Sequence, residues 1–172
     1  MPDKPDEGKS KGGPPLAFLI AQVGGHAAIR FGERLKRLKL APPDAGILWK
    51  LSSKGGMSQK DLSATLGIHP SRLVAVLDAL EARRLVERTP NEDDRRQYAL
   101  HLTKKGREAL AQIGKIAREH ADSLLAALSA EKRDQLGELL QRIADEQGLT
   151  RGVHPGYRSL RVGNRAKESS AR

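Results

Sequence analysis

The chain of 172 residues carries a formal net charge of +10 and contains no cysteine. It has room for one domain of ordinary size with tails, and disulfides, thiolate metal sites and cysteine redox switches are excluded. No apolar run approaches the roughly 18 residues that a membrane-spanning helix needs, and the N-terminus lacks the apolar stretch of a secretory signal. We therefore expect a soluble cytoplasmic protein without a membrane partner. Aromatic residues make up only 3% of the chain, which favours packed aliphatic helices over a β-sandwich.

The positive charge is unevenly distributed along the chain. Residues 54–107 carry eleven bases and seven acids, residues 108–148 carry five bases and eight acids, and residues 149–172 carry six bases and one acid. Two basic parts around a mildly acidic one fit a protein that faces a polyanion such as nucleic acid. A soluble basic protein without such a partner is the alternative that charge alone leaves open.

The first predicted element is a long helix. Residues 1–15 are rich in proline, glycine and charged side chains and are expected to be disordered. From residue 16 to about residue 40, apolar side chains recur at helical spacing. They are Leu16, Leu19, Ile20, Val23, Ala27, Phe31, Leu35 and Leu38. Gly24 and Gly25 are expected to weaken or bend the helix, and Pro42 and Pro43 to end it before a second, short helix.

A pair of short helices follows, joined by a tight turn. Ser58, with Asp61 three residues later, predicts the start of a helix that Gly67 ends. Pro70 suits the first position of the next helix, with His69 as its N-cap. We expect this second helix to run to about residue 84. Two helices around a turn that contains glycine form the helix-turn-helix pattern.

The segment after this pair predicts a β-hairpin, the "wing" of a winged helix-turn-helix. Residues 85–89 and 97–102 have strand character, the latter with Tyr98, Leu100 and Leu102 on one face. Thr103 is expected to cap a long helix and Ser129 a last one that ends near residue 148. We interpret residues 148–172 as an extended or disordered basic arm. The predicted fold is mainly α with a small β-hairpin wing.

The second helix of the pair has the faces expected of a DNA-recognition helix. Its inner stripe consists of Leu73, Val76, Leu77 and Leu80. Ser71, Ala75 and Asp78 lie opposite, and small residues such as Ala75 allow close approach to the floor of a major groove about 12 Å wide. We select Ser71 and Arg72 as base or phosphate contacts, because N-terminal residues reach the bases and Arg72 can pair bidentately with guanine. Asp78 is expected to pair with a base or lie beyond the contact. The alternative is an ordinary amphipathic surface helix.

Asp94, Arg95 and Arg96 lie at the tip of the predicted hairpin. An arginine there can enter the narrow minor groove, where A·T-rich sequence strengthens the negative potential, while the neighbouring carboxylate holds its guanidinium. Solvated loop charges that pair with one another are the alternative.

The stretch from residue 58 to residue 106 closely resembles the MarR family of bacterial regulators, and the likeness extends over about residues 16–147. The matching motifs are Leu80-Glu81, Leu85-Val86-Glu87-Arg88, Asp94-Arg95-Arg96 and Leu102-Thr103-Lys104-Lys105-Gly106. The resemblance implies a homodimer, with dimerisation helices at about residues 16–40 and 103–147 and a winged helix-turn-helix at about residues 43–102. It implies recognition helices in successive major grooves of a pseudo-palindrome. Arg96 then matches the minor-groove arginine, Asp94 the acid that braces it, and Ser71 and Arg72 the recognition-helix contacts.

Three departures from the family pattern bear on these expectations. Arg84 stands where the family usually has glycine, so the turn into the first wing strand is expected to be strained or altered. Val74 and Ala75 replace positions that are often polar, which leaves the base preference open. Asp44 replaces a common glutamine.

The resemblance also implies an effector, since family members often respond to small aromatic or phenolic acids held between the dimer helices and the winged unit. The candidate lining is His26, Arg30 and Trp49. His26 and Arg30 are four residues apart on one helix face and can jointly hold a carboxylate. Structural roles for all three, with Trp49 in the core, are the alternative. No histidine pair has metal-ligand spacing, and we expect no metal and no cofactor.

The sequence as a whole predicts a sequence-specific, ligand-responsive regulator of transcription that binds double-stranded DNA as a dimer. A nonspecific or architectural DNA-binding protein that uses its basic tail is the second hypothesis; it predicts affinity that is independent of sequence and falls steeply with salt. An enzyme is not expected, because the chain has no nucleophile–base constellation, phosphate-binding glycine loop or metal-ligand cluster.

Overall fold

The computed structural model of the protein describes residues 13–90, 98–154 and 157. Six helices and a small sheet make up this part of the chain. The helices are α1 (Leu16–Leu35, continued by a 3₁₀ turn at Lys36–Leu38), α2 (Pro42–Ser53), α3 (Gln59–Leu66), α4 (Pro70–Ala82), α5 (Lys104–Leu124) and α6 (Ala130–Glu146). The strands are β1 (Met57–Ser58), β2 (Val86–Pro90) and β3 (Tyr98–Leu102). The mainly helical fold with a β-hairpin wing is thus confirmed.

The predicted helix starts are confirmed by side-chain caps. The hydroxyl oxygens of Ser58, Thr103 and Ser129 each accept a hydrogen bond from the backbone N–H three residues later, at 3.1, 3.0 and 3.4 Å. These bonds satisfy donors that a helix leaves without an internal partner. Helix α3 ends at Gly67 with φ +64°, a conformation that glycine adopts without steric cost.

The sheet has a third strand that the sequence analysis did not predict. Its order is β1-β3-β2 and both pairings are antiparallel, with Met57 opposite Leu100 and Val86 opposite Leu102. Strand β1 is only two residues long and merges into the cap of α3, so it has no alternation to detect. It fastens the start of the helix-turn-helix to the wing.

The hydrophobic core lies among the helices and the sheet of the winged unit, and helix α1 contributes little to it. Leucine and isoleucine side chains from α2, α3, α4 and the sheet are buried together with Ile113 and Ile116 of α5. Within α1 only Leu35 is buried, whereas Leu16, Ile20 and Val23 are exposed. The apolar stripe predicted for this helix is therefore present but mostly uncovered in the protomer. Helix α1 is also shorter than predicted, yet it continues through Gly24 and Gly25.

Helix α6 projects from the rest of the protomer. None of its residues is buried, and Leu139, Leu140 and Ile143 are exposed. Among the described helices, none is long and apolar enough to cross a membrane.

The start of the C-terminal arm differs from the extended segment that the sequence analysis predicted. Val153 packs against the core, and Tyr157 is only 7% exposed. The Tyr157 hydroxyl lies 3.4 Å from the carbonyl oxygens of Pro42 and Pro43 at the start of α2. An aromatic ring in a basic, glycine-rich tail gives no periodic signal, so this long-range contact was missed.

Candidate nucleic-acid interface

Helix α4 presents the faces that the sequence predicts for a recognition helix. Leu73, Leu77 and Leu80 are buried, while Ser71 and Ala75 are exposed. At the helix start, His69 Nδ1 lies 2.9 Å from Ser71 Oγ, and this contact orders the hydroxyl. Arg72, the remaining predicted contact, is half-buried. Ser71 and Ala75 lie on one exposed face of the first two helical turns, with Arg72 at its side, and this part of a groove-bound helix meets base edges.

The acid on this face is paired within the protein rather than left for a base. Arg88 of β2 donates to Asp78 Oδ1 at 2.6 Å and forms a second, close ion pair with Glu81. The Arg88 side chain is only 20% exposed, and its two carboxylate partners raise its pKa against the opposing effect of burial. Arg88 offsets one of the two carboxylate charges on this side of α4, and the same contacts join α4 to strand β2. Sequence reasoning missed this role of Arg88, because helical or strand spacing does not predict a contact between a strand residue and side chains of the preceding helix.

The turn from α4 into the wing adopts the strained conformation that Arg84 suggested. Arg84 has φ +58°, a left-handed conformation that costs most residues about 1–2 kcal/mol. It is held there by two backbone bonds, from Arg84 N to Glu81 O at 2.8 Å and from Leu85 N to Leu80 O at 3.0 Å. The helix also ends earlier than predicted, at Ala82.

The neighbouring Arg83 ties the end of the recognition helix to the end of α1. Its guanidinium donates to Lys39 O at 2.7 Å and to Leu38 O at 2.9 Å. These carbonyls belong to the 3₁₀ turn after α1, where Lys39 has φ +54°. One side chain thus links the end of α1, the helix with the uncovered apolar stripe, to the end of α4.

The wing strands pair up to Pro90 and Tyr98. The predicted wing-tip residues Asp94, Arg95 and Arg96 lie between these ends and outside the described residues.

The three predicted effector-binding residues line two adjoining hollows of the protomer. His26 and Arg30 line a cavity of about 450 Å³ between α1 and α5. Trp49 lines a separate apolar cleft of about 400 Å³ among α1, α2, α5 and the C-terminal arm. Trp49 is also 58% exposed, so it is not a core residue. The rings of Phe31, from the cleft, and His120, from the other cavity, lie 5.6 Å apart and mark where the two hollows adjoin.

Basic side chains line the cavity between α1 and α5, and one of them, Arg30, also forms an ion pair with Glu33 at 2.9 Å. Arg34 and His120 join His26 and Arg30 in its lining, which contains no carboxylate. Burial, followed by the charges of Arg34, Arg30 and His26, lowers the pKa of His120. The buried Nε of Arg34 makes no hydrogen bond within the described part of the chain. Sequence reasoning missed His120 because α5 meets α1 only in the folded chain, whereas the spacing of Arg34, four residues after Arg30 on the same helix, could have predicted it.

A metal centre finds no support in this part of the molecule. Over residues 13–90, 98–154 and 157, no group of three or more potential ligands from histidine, aspartate and glutamate is arranged to hold a metal ion.

Comparisons with known proteins agree with this architecture. Residues 38–97 match the model of the MarR family. A protein of Thauera aromatica named for transcriptional regulation of the hcr operon is 30% identical over 158 residues, which cover 83% of this chain and 95% of that protein. Transcriptional repressor MprA of Escherichia coli K12 is 32% identical over 83 residues, 48% of this chain and 47% of MprA.

Solved structures give the same result. Transcriptional repressor CouR bound to a 23-mer DNA duplex is 35% identical, with a TM-score of 0.68 over 76% of this chain and 92% of CouR. A mutant MarR from E. coli complexed with operator DNA is 25% identical, with a TM-score of 0.65 over 75% of this chain and 93% of that one. Given the matching helix order, the wing and these relatives, the chain belongs to the MarR family of winged helix-turn-helix proteins.

Proposed function

We propose that this protein is a regulator of transcription that binds double-stranded DNA sequence-specifically as a homodimer. The observation that carries the proposal is helix α4, which buries one leucine face and exposes Ser71 and Ala75 on the opposite side, with Arg72 beside them. The chain is 35% identical to a repressor bound to a DNA duplex. The names of the relatives favour repression. Recognition helices of such a dimer enter successive major grooves about 34 Å apart.

The second subunit is supported by apolar surface that the protomer leaves uncovered. Exposed large apolar side chains concentrate on α1, on α6 and on Leu149, three residues after α6. They are Leu16, Phe18, Leu19, Ile20, Val23, Ile29, Leu139, Leu140, Ile143 and Leu149. Exposed apolar side chains in such number on two helices are typical of an interaction site. A second copy that covers these faces also sets the spacing between the two recognition helices.

The recognition-helix arginine Arg72 and the wing arginine Arg96 have different proposed roles. Arg72, at the start of α4, reads a base, so Arg72→Ala is expected to cost about 1–3 kcal/mol and to relax preference at one position. Arg96, at the sequence position of the wing tip, contacts the minor groove with Asp94 as its brace and Arg95 beside it. Arg96→Ala is expected to weaken binding to every sequence alike. Equal, nonspecific losses from both variants contradict this division.

The test of the proposal is competition between a specific site and random duplex. Footprinting on the DNA upstream of the protein's own gene at low salt locates the site. A fluorescent duplex of that sequence is then displaced by the unlabelled site or by random DNA of equal length, at two salt concentrations. A regulator prefers its site by about 10³-fold or more. Equal displacement with a steep salt slope identifies instead a nonspecific protein that uses its basic tail.

An anionic effector is the second part of the proposal. The basic lining of His26, Arg30, Arg34 and His120 suits the carboxylate of a small aromatic acid, since opposite charge within about 4–6 Å favours the charged form of each partner. A bound carboxylate raises the pKa of His120, so affinity for it increases as the pH falls. Trp49, in the adjoining cleft, then contacts the aromatic part rather than the acid.

Benzoate and uncharged benzyl alcohol distinguish charge recognition from simple apolar binding. Arg34→Gln is expected to weaken benzoate binding about tenfold and to leave benzyl alcohol unaffected, because only the acid needs a cation. Arg37→Gln is the matched control, since Arg37 follows Arg34 by three residues but pairs with Glu119 and does not line the cavity. Equal effects of the two variants on benzoate contradict the assignment.

A further inference from the structure

We propose that the C-terminal arm is part of the ligand site: Tyr157, seated against Gly46, forms one wall of the apolar cleft that Trp49 lines, and an aromatic ligand in this cleft holds the arm in place. The proposal deepens the proposed function, on which it rests for the identification of the ligand as an effector.

The arm contributes three residues to the cleft. Gly152, His154 and Tyr157 line it together with residues of α1, α2 and α5. Those of the helices are Ala28, Phe31, Pro42, Pro43, Ala45, Gly46, Trp49, Ile113, Gly114 and Ala117. Trp49 and Tyr157 both line this one hollow, in a chain with only two tyrosines and one tryptophan. A concave, mainly apolar site with aromatic walls and a few polar groups is the usual form of a small-molecule site.

The position of Tyr157 depends on the absence of a side chain at residue 46. A Cβ added to Gly46 would lie 1.5 Å from the Tyr157 hydroxyl oxygen and 2.7 Å from its Cζ. The phenol therefore lies directly on the backbone of α2, with its hydroxyl near the carbonyls of Pro42 and Pro43. Burial raises the pKa of Tyr157 to about 12, so the hydroxyl stays neutral and can donate.

The docked arm leaves the cleft open, so arm docking and ligand binding are expected to strengthen each other rather than to compete. About 400 Å³ remains beside Tyr157 in the same hollow, enough for a fused aromatic ring system. A ligand there contacts Tyr157 and the helices at once, so it binds the docked form better than the undocked one. By reciprocity, the docked arm strengthens ligand binding by the same factor that the ligand strengthens docking.

The arm also connects this cleft to the DNA-reading surface. Tyr157 borders a surface hollow that Ser71 and Arg72 line at the start of α4. The sequence after Tyr157 carries five basic residues and the single acid Glu168. Ligand occupancy of the cleft thus acts on the segment that precedes the basic end of the chain.

The experiment uses the full-length protein and 2-naphthol, an uncharged aromatic probe, followed by calorimetry. Tyr157→Ala is expected to weaken 2-naphthol binding about fivefold to tenfold, because one aromatic wall is lost. Gly46→Ala is expected to have the same effect with Tyr157 still in the chain, since its methyl group occupies the position of the hydroxyl. Gly32→Ala is the matched control: its Cβ meets Pro42 Cγ at 3.6 Å and Cδ at 3.9 Å, both ordinary contacts.

Proteolysis measures docking independently of calorimetry. Arg151 is exposed and precedes Gly152, so trypsin cleavage after Arg151 tracks how often the arm opens. We expect faster cleavage in Tyr157→Ala and Gly46→Ala than in the unmodified protein, and protection by 2-naphthol in the unmodified protein only. If Gly46→Ala proves poorly folded, the double variant Gly46→Ala/Tyr157→Ala is expected to regain stability, since no hydroxyl then meets the methyl group.

Two results overturn the proposal. Equal 2-naphthol affinity in the unmodified protein and Tyr157→Ala shows that the arm is not a wall of the site. Tighter binding to Tyr157→Ala shows that arm and ligand compete for the cleft. Neither measurement includes DNA, so both can be interpreted even if the proposed DNA binding fails. Likewise, failure of the arm proposal would not affect the test of DNA binding.

Discussion

Replacing Arg84 with glycine is expected to stabilise the protein. Arg84 has φ +58° at the exit of the recognition helix, a position that glycine occupies without the Cβ clash. The left-handed conformation costs a residue other than glycine about 1–2 kcal/mol. Glycine gains about 0.5–1 kcal/mol of extra freedom in the unfolded chain, which opposes folding. The difference between the midpoints of these ranges is a net stabilisation of about 0.75 kcal/mol.

The hydrogen bonds at this turn do not depend on the Arg84 side chain, so they do not enter the estimated change in the free energy of unfolding. Arg84 N and Leu85 N donate to carbonyls of α4, and Arg84 O accepts from the Thr103 hydroxyl at 2.6 Å. All three bonds involve main-chain atoms of residues 84 and 85, so they persist when the side chain is removed. Only the steric cost and the unfolded-state entropy change.

The assay is urea denaturation at one fixed protomer concentration, because the stability of a dimer depends on concentration. Arg84→Gly is expected to raise the free energy of unfolding with an unchanged m-value, and to raise the Tm by about 1–4 °C. Arg84→Lys keeps both charge and strain and should change nothing. Glu108→Gly, an exposed position inside α5, should destabilise by about 1 kcal/mol. If Arg84→Gly behaves like Glu108→Gly, the strain argument is refuted.

Three further changes test other contacts. Gly106→Ala would place a Cβ 2.0 Å from Leu85 O, so we expect a loss of about 2–4 kcal/mol in urea denaturation, and a loss below 1 kcal/mol would contradict that packing. Arg88→Gln leaves Asp78 and Glu81 of the recognition helix unpaired, so its affinity for duplex DNA should fall about tenfold at low salt and less at high salt. A loss of affinity that does not depend on salt would point to misfolding. In a Tyr98→Phe background, absorbance at 295 nm should show Tyr157 ionising near pH 12. Because docking raises the pKa of Tyr157, its contribution to the free energy of unfolding is complete below pH 10 and is lost as the pH rises through 12. Ionisation near pH 10 would show that the ring is not docked.

The local signals in this sequence were sufficient for its helices and its wing. Ser58, Thr103 and Ser129 act as N-caps in the structure, Pro70 begins α4, and Gly67 ends α3. Each of these signals acts on backbone groups within about one helical turn, so neighbours in sequence are enough to predict it. The leucine stripe of α4 was equally predictable, because a helix fixes which residues share a face.

Contacts between elements far apart in sequence could be decided only by the tertiary structure. The pairing of Asp78 with Arg88 depends on how β2 packs beside α4. Placing His26 in a different cavity from Trp49 depends on where α5 meets α1. Tyr157 reaches Gly46 because the chain turns back after α6, and no periodic pattern records that return. The amino-acid sequence alone determined the helix-turn-helix, the wing strands and the faces of the recognition helix, since these follow from local backbone chemistry. The charge balance beside that helix and the walls of the two cavities are set by long-range packing, which only the folded chain reveals.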